Sequence, residues 1–89
     1  MTLSAAMARY YLNLYNHGGP VLDEEGHEVR DLEAARAQAI AGIRSILAEE
    51  LLHGRLDLGG RMEIVDESGR ILATIPFREA VIVHPEEEP

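Results

Sequence analysis

From Asp31 to Gly54 the chain carries one capped, unbroken helical segment, and the stretches on either side are too rich in turns to hold a second. Leu32, Ala35, Ala39, Ile43, Ile46, Leu47 and Leu51 recur at helical spacing, with Arg36, Ile40 and Arg44 as a neighbouring stripe. Asp31 is a strong N-cap residue, and Glu33 places a carboxylate in the first turn, where it complements the helix dipole. Gly54 suits the left-handed position just past the last turn. The spacing predicts a helix over Leu32–His53, roughly 22 residues and ~33 Å long. A helix with one apolar stripe must bury it against another layer, and only the flanking segments can supply that layer.

Those segments read as hairpins. Arg9–Tyr15 is rich in aromatic and aliphatic residues, and its alternation places Tyr10, Leu12 and Leu14 on one face and Tyr11, Asn13 and Tyr15 on the other. The aliphatic face is the core candidate. Asn16–Pro20 breaks the strand, Val21 and Leu22 start a short second one, and Asp23-Glu24-Glu25-Gly26 turns the chain into an extended stretch from His27 to Arg30. Beyond the helix, Arg61–Asp66 and Arg70–Ile75 are two strands about the turn Asp66-Glu67-Ser68-Gly69. Pro76 and Phe77 end or bend the last strand, and Glu79–Val83 is a candidate edge strand. The expected fold is α+β, of order ββαββ with room for a fifth edge strand: one long helix on one face of a small, mainly antiparallel sheet. Residues 1–8 are expected to be a flexible extension, 9–83 the single domain, and 84–89 an acidic disordered tail.

Composition narrows the chemistry. Aromatic residues make up only 4% of the chain, so the core is expected to be aliphatic. There is no cysteine, which excludes disulfides and thiolate metal sites. A net charge of -8 repels nucleic-acid phosphates and anionic lipid. No apolar run is long enough to span a bilayer, and the first residues lack the pattern of a signal peptide, so a cytoplasmic setting is expected.

No motif for catalysis, cofactor or metal binding stands out, and none of these is expected. The acidic turn Asp23–Glu25, with His17 and His27 nearby, lacks the alternating ligand spacing of a calcium loop. His27 with Glu25 and Glu28 is the one candidate acid–base group. The arginines are expected to pair with Glu33, Glu49, Glu50 and Glu63 rather than with phosphates. One helix covers one sheet face, which leaves Tyr11, Asn13 and Tyr15 on the other. Tyrosine favours interfaces because it buries area and keeps a polar tip. At the end of the helix Leu51, Leu52, Leu56 and Leu58 either cap the core or join a contact between copies. Tyr11, Asn13, Tyr15, Leu52 and Leu56 are therefore the candidate interaction surface, for a protein partner or a second copy of the chain.

Six segments in order carry a family resemblance: Arg9-Tyr10-Tyr11, Gly18-Gly19, Asp23-Glu24-Glu25-Gly26, Asp31-Leu32-Glu33-Ala34-Ala35-Arg36, Gly54-Arg55-Leu56-Asp57-Leu58 and Pro76-Phe77. Together they resemble domain of unknown function 6894, over about Ala8 to Val83. The resemblance implies a small stand-alone bacterial domain and brings no activity, cofactor or catalytic residue. It also implies a start near Arg9, which makes Met7 a candidate initiator. Asp31–Ala39, a capped helix after a hairpin, looks loosely like HicB-type antitoxins, small acidic partners that neutralise a toxin. The functional expectation is a non-enzymatic interaction or regulatory module. Its alternatives are an antitoxin-like partner protein and a small enzyme using His27.

Overall fold

The computed structural model describes residues 6–86. Its elements run β1 (Ala8–Asn16), β2 (Gly19–Val21), β3 (His27–Val29), α1 (Leu32–Leu52), β4 (Arg61–Val65) and β5 (Ile71–Pro76), closed by a 3-10 turn at Phe77–Ala80. All pairings are antiparallel and the sheet order is β2-β1-β4-β5, with β3 on β1 as well. β2 pairs with Leu14–Asn16 and β3 with Ala8–Tyr10, so two short strands share one long neighbour. The helix begins as its caps predict: the Ala34 N–H donates to the Asp31 side chain at 2.8 Å, and Gly54 takes the left-handed conformation at φ 77°.

The core lies between α1 and the sheet. Ala35, Ala39, Ile43 and Leu47 are the buried helix positions, and Met62, Ile64 and Ile75 answer them from β4 and β5. Tyr10, Leu12 and Leu14 pack against this cluster from β1, on the face that alternation predicts. The ends of the helical stripe are outside it. Leu32 and Leu51 are exposed, because α1 outruns the short strands beneath it. Leu58 folds back on the core, whereas Leu56 stays exposed.

Three expectations are corrected. The core is not purely aliphatic: Phe77 is fully buried and is the largest such side chain. Gly60 makes room for it, since a Cβ there would stand 2.7 Å from the Phe77 ring and 2.9 Å from the Tyr15 carbonyl oxygen. Glu79–Val83 is not an edge strand. Its start belongs to the 3-10 turn, fastened to α1 by Arg44 Nε donating to the Ala80 carbonyl at 2.7 Å and by an Arg36–Glu79 contact at 3.4 Å. The additional strand is β3, which gives the order βββαββ. Of the expected arginine–glutamate pairs, Arg61–Glu63 forms at 3.2 Å, while Arg9 takes Glu28 and Arg36 takes Glu79. Residues 1–5 of the expected extension and 87–89 of the expected tail lie outside the described residues, and Ala8 already belongs to β1.

Candidate interaction surface

The gap between β2 and β3 leaves the middle of β1 without a strand on that side, and Asp23 fills it. The Leu12 N–H donates to Asp23 Oδ2 at 3.1 Å, and the Gly26 N–H donates to Oδ1 at 3.0 Å. In return the Asp23 N–H donates to the Asn13 side-chain oxygen at 2.9 Å. A carboxylate thus stands where a neighbouring strand would offer a carbonyl. Gly26 closes the loop at φ 76°, with Arg9 and Tyr11 side-chain atoms 3.0 Å from where a Cβ would sit.

This loop shapes a shallow depression of about 510 Å³ lined by Leu12, Leu14, Val21, Leu22 and the stretch Asp23–His27. Leu12 and Leu14 are on the helix side of the sheet, so the depression lies where α1 no longer covers β1 and β2. Val21 and Leu22 are 59% and 58% exposed, an unusual state for two adjacent aliphatic residues. Glu24 and Glu25 stand exposed beside them, so the concavity is apolar inside and acidic at its rim. A second depression, of about 450 Å³, runs between Ala8–Tyr10 and the turn Asp66–Ser68, with Leu72 beside it.

The five residues singled out from sequence occupy two separate places. Tyr11, Asn13 and Tyr15 lie half-buried on the sheet face turned away from α1, opposite Val65, Glu63 and Arg61. Much of that face is already engaged. The Arg61 guanidinium sits 4.4 Å from the centre of the Tyr15 ring and bonds Glu63 at 3.2 Å. Tyr11 lies against Gly26, and Asn13 holds Asp23. Leu52 and Leu56 are at the end of α1, 80% and 52% exposed. Sequence reasoning missed Val21 and Leu22. The signal was two apolar residues directly before an acidic turn, which reads equally well as a strand half-buried under the helix.

Two histidines, His17 and His27, lie within reach of carboxylates. His27 Nε2 is 3.2 Å from Asp23 Oδ2, not beside Glu25 or Glu28, and both Asp23 oxygens already receive backbone N–H groups. His17 ties the β1–β2 turn to the end of α1: Nδ1 is 2.8 Å from Asp57, Nε2 is 3.3 Å from Glu50, and an Arg55 nitrogen is 3.4 Å away. The Gly59 N–H, with His17, holds the Asp57 carboxyl below its usual value. Among the described residues no group of three or more His, Asp or Glu is placed to hold a metal ion, and no helix is long and apolar enough to cross a membrane.

These elements define a small α+β domain with one helix laid on an open antiparallel sheet. The chain belongs to the family DUF6894, a domain of unknown function, which it matches over residues 9–78. That span runs from β1 into the 3-10 turn and contains both Asp23 and Phe77. No curated protein and no solved structure was found to match the chain.

Proposed function

We propose that this domain is a non-enzymatic protein-binding module, and that its acid-rimmed depression takes a basic segment anchored by aliphatic side chains. The observation that carries this reading is the pair Val21 and Leu22, more than half exposed above Leu12 and Leu14, with Glu24 and Glu25 at the border. Covering such side chains releases water from apolar surface, about 25 cal/mol per Å². The rim carboxylates raise the encounter rate of a cationic partner and repel an acidic one. His27 and Asp23 favour this reading over catalysis, because that carboxylate already serves two backbone donors. An antitoxin role is the special case in which the bound segment belongs to a basic toxin.

The test titrates a panel of fluorescent peptides, each carrying two leucines among arginines and lysines, and reads anisotropy at low and moderate salt. Leu22→Glu should abolish binding, and the double change Glu24→Lys, Glu25→Lys should weaken it and remove its salt dependence. Binding that ignores both changes, or no binding across the panel, overturns the reading.

A further inference from the structure

We propose that His17 is a proton-operated latch between the β1–β2 turn and α1: its doubly protonated ring holds Glu50 and Asp57 at once, and loss of one proton exchanges Glu50 for Arg55. The His17 side chain is 39% exposed, so protons reach it from solvent. Nδ1 is 2.8 Å from Asp57 Oδ2, and Nε2 is 3.3 Å from Glu50 Oε2. An ionised carboxylate only accepts, so holding both at once takes a proton on each ring nitrogen. Glu50, Asp57, Arg55 and a cationic His17 then balance in charge.

Two observations make this a two-state device rather than a surface ion pair. The first is Glu50. Its side chain is only 17% exposed, and its Oε1 is buried with no hydrogen-bond partner among the described residues. Its Oε2 faces the His17 ring. When the ring is neutral, Asp57 keeps the remaining proton on Nδ1, where the contact is shorter; the Gly59 N–H, with His17, keeps Asp57 ionised. Nε2 then turns a lone pair toward a half-buried carboxylate, and such a carboxylate without a donor is costly. Glu50 must turn out to water. The second observation is Arg55. One of its guanidinium nitrogens stands 3.4 Å from the same Nε2, and its backbone N–H donates to the Glu50 carbonyl at 3.0 Å, which keeps the side chain beside the ring. A guanidinium only donates, so it suits the neutral Nε2 and not the protonated one.

Other charged groups on the neighbouring elements are engaged elsewhere. His53 is 3.2 Å from Glu49, and Arg61 lies over the Tyr15 ring and bonds Glu63. β2 carries no charge. The closed state binds one more proton than the open one, so the latch closes as pH falls. Imidazoles ordinarily take up their proton between about pH 5 and 8. The strand it steadies is β2. Pro20 offers no N–H, so this short strand is held to β1 at Leu14/Val21 and Asn16/Gly19, and the second pair adjoins His17. Opening the latch frays that pair, and with it the strand that brings Val21 to the apolar depression. The inference goes beyond the proposed binding role and does not depend on it.

Double-mutant cycles in urea, on the full chain, test the exchange of partners. His17→Gln and Glu50→Gln should be coupled by roughly fivefold or more in the unfolding equilibrium constant at about pH 5.5, and uncoupled at about pH 8. His17→Gln and Arg55→Gln should show the opposite, coupled at the higher pH alone. The other histidines titrate over the same range, but their contributions cancel within a cycle. Nitrogen NMR of the unmodified chain needs no variant: at the higher pH the proton should be on Nδ1 and the lone pair on Nε2. Protection of the Asn16 and Gly19 amides, corrected for intrinsic exchange, should fall at least roughly threefold relative to Ile64 as pH rises. Coupling to Glu50 that persists at the higher pH or is missing at both, a neutral ring protonated at Nε2, or protection that ignores pH overturns the proposal.

Discussion

The two edges of this sheet solve the same problem in opposite ways. The edge beside β1 is cut into two three-residue strands, carries Pro20, and is plugged in the middle by the Asp23 carboxylate. Its border holds Glu24, Glu25 and Glu28, so a second acidic chain is repelled there. β5 has six residues, no charge within the strand, and nothing across its outer side among the described residues. Edge strands are commonly blunted by charge, proline or bulges, because an open row of N–H and C=O groups invites another strand. One edge is closed by a side chain; the other is interrupted by a register shift beside Leu72 and ends in Pro76. A single carboxylate can therefore replace a strand locally, here across the three-residue gap Tyr11–Asn13 that β2 and β3 leave.

The hardest way to break this comparison is to unseat β5 itself. Phe77 is fully buried directly after the strand, and its N–H joins the last rung to Gly60. Phe77→Ala should cost about 3–5 kcal/mol, read as a lowered urea midpoint with an unchanged slope. A loss well under 1 kcal/mol would mean that Phe77 does not anchor the β5 side of the core.

The other edge is tested through Asp23. Asp23→Ala leaves the Leu12 and Gly26 N–H groups without their acceptor and should cost about 2–3 kcal/mol. Hydrogen exchange at the Leu12 amide should rise more than at Leu14, which keeps its β2 partner Val21. Asp23→Asn retains one acceptor oxygen and should cost less. Equal exchange at both amides would show that β2 and β3, rather than the carboxylate, close that edge.

Most of the architecture was legible because it rests on periodicity and caps. Asp31 and Gly54 bounded the helix to within a residue, and alternation put Tyr10, Leu12 and Leu14 on the correct face. What escaped is held by single contacts between residues far apart in sequence. Asn13 and Asp23 are ten residues apart, and no pattern announces their bond, so Asn13 looked like a free surface residue. Phe77 follows a proline that reads as a strand end, and its burial depends on Gly60 seventeen positions earlier, hidden in a connector of ordinary turn composition. β3 has only three residues, too few for alternation to show. Of the candidate surface, the exposed leucines at the end of α1 were legible from composition alone. The Val21–Leu22 depression was not, because its openness depends on where the helix stops covering the sheet.

A smaller effect comes from Gly26, at the corner of the Asp23 loop. Gly26→Ala forces a side chain into φ 76° and into contacts of 3.0 Å with Arg9 and Tyr11. It should destabilise the fold by about 1–2 kcal/mol, chiefly through backbone strain. Gly69, at φ 90° in the turn before β5, has nothing within 4 Å of its Cβ position. Gly69→Ala therefore isolates the strain alone. The difference between the two melting temperatures measures how tightly the closed edge is packed compared with the open one.

The smallest effect is electrostatic and sets the two edges apart by pH. Asp66 holds the start of β5 as Asp23 holds the middle of β1, accepting from the Ser68 hydroxyl at 2.6 Å and from the Arg70 N–H at 3.0 Å. The Ser68 hydroxyl, followed by the Arg70 N–H, keeps the Asp66 carboxyl below its ordinary value of 3.8. A depressed folded value means that the ionised form is the one the fold prefers. Its contribution is present above the ordinary value and is lost as pH falls through the folded one. Acidification below about pH 4 should therefore speed exchange at the Arg70 amide before the sheet as a whole opens. Asp66→Asn should remove that acid-dependent step.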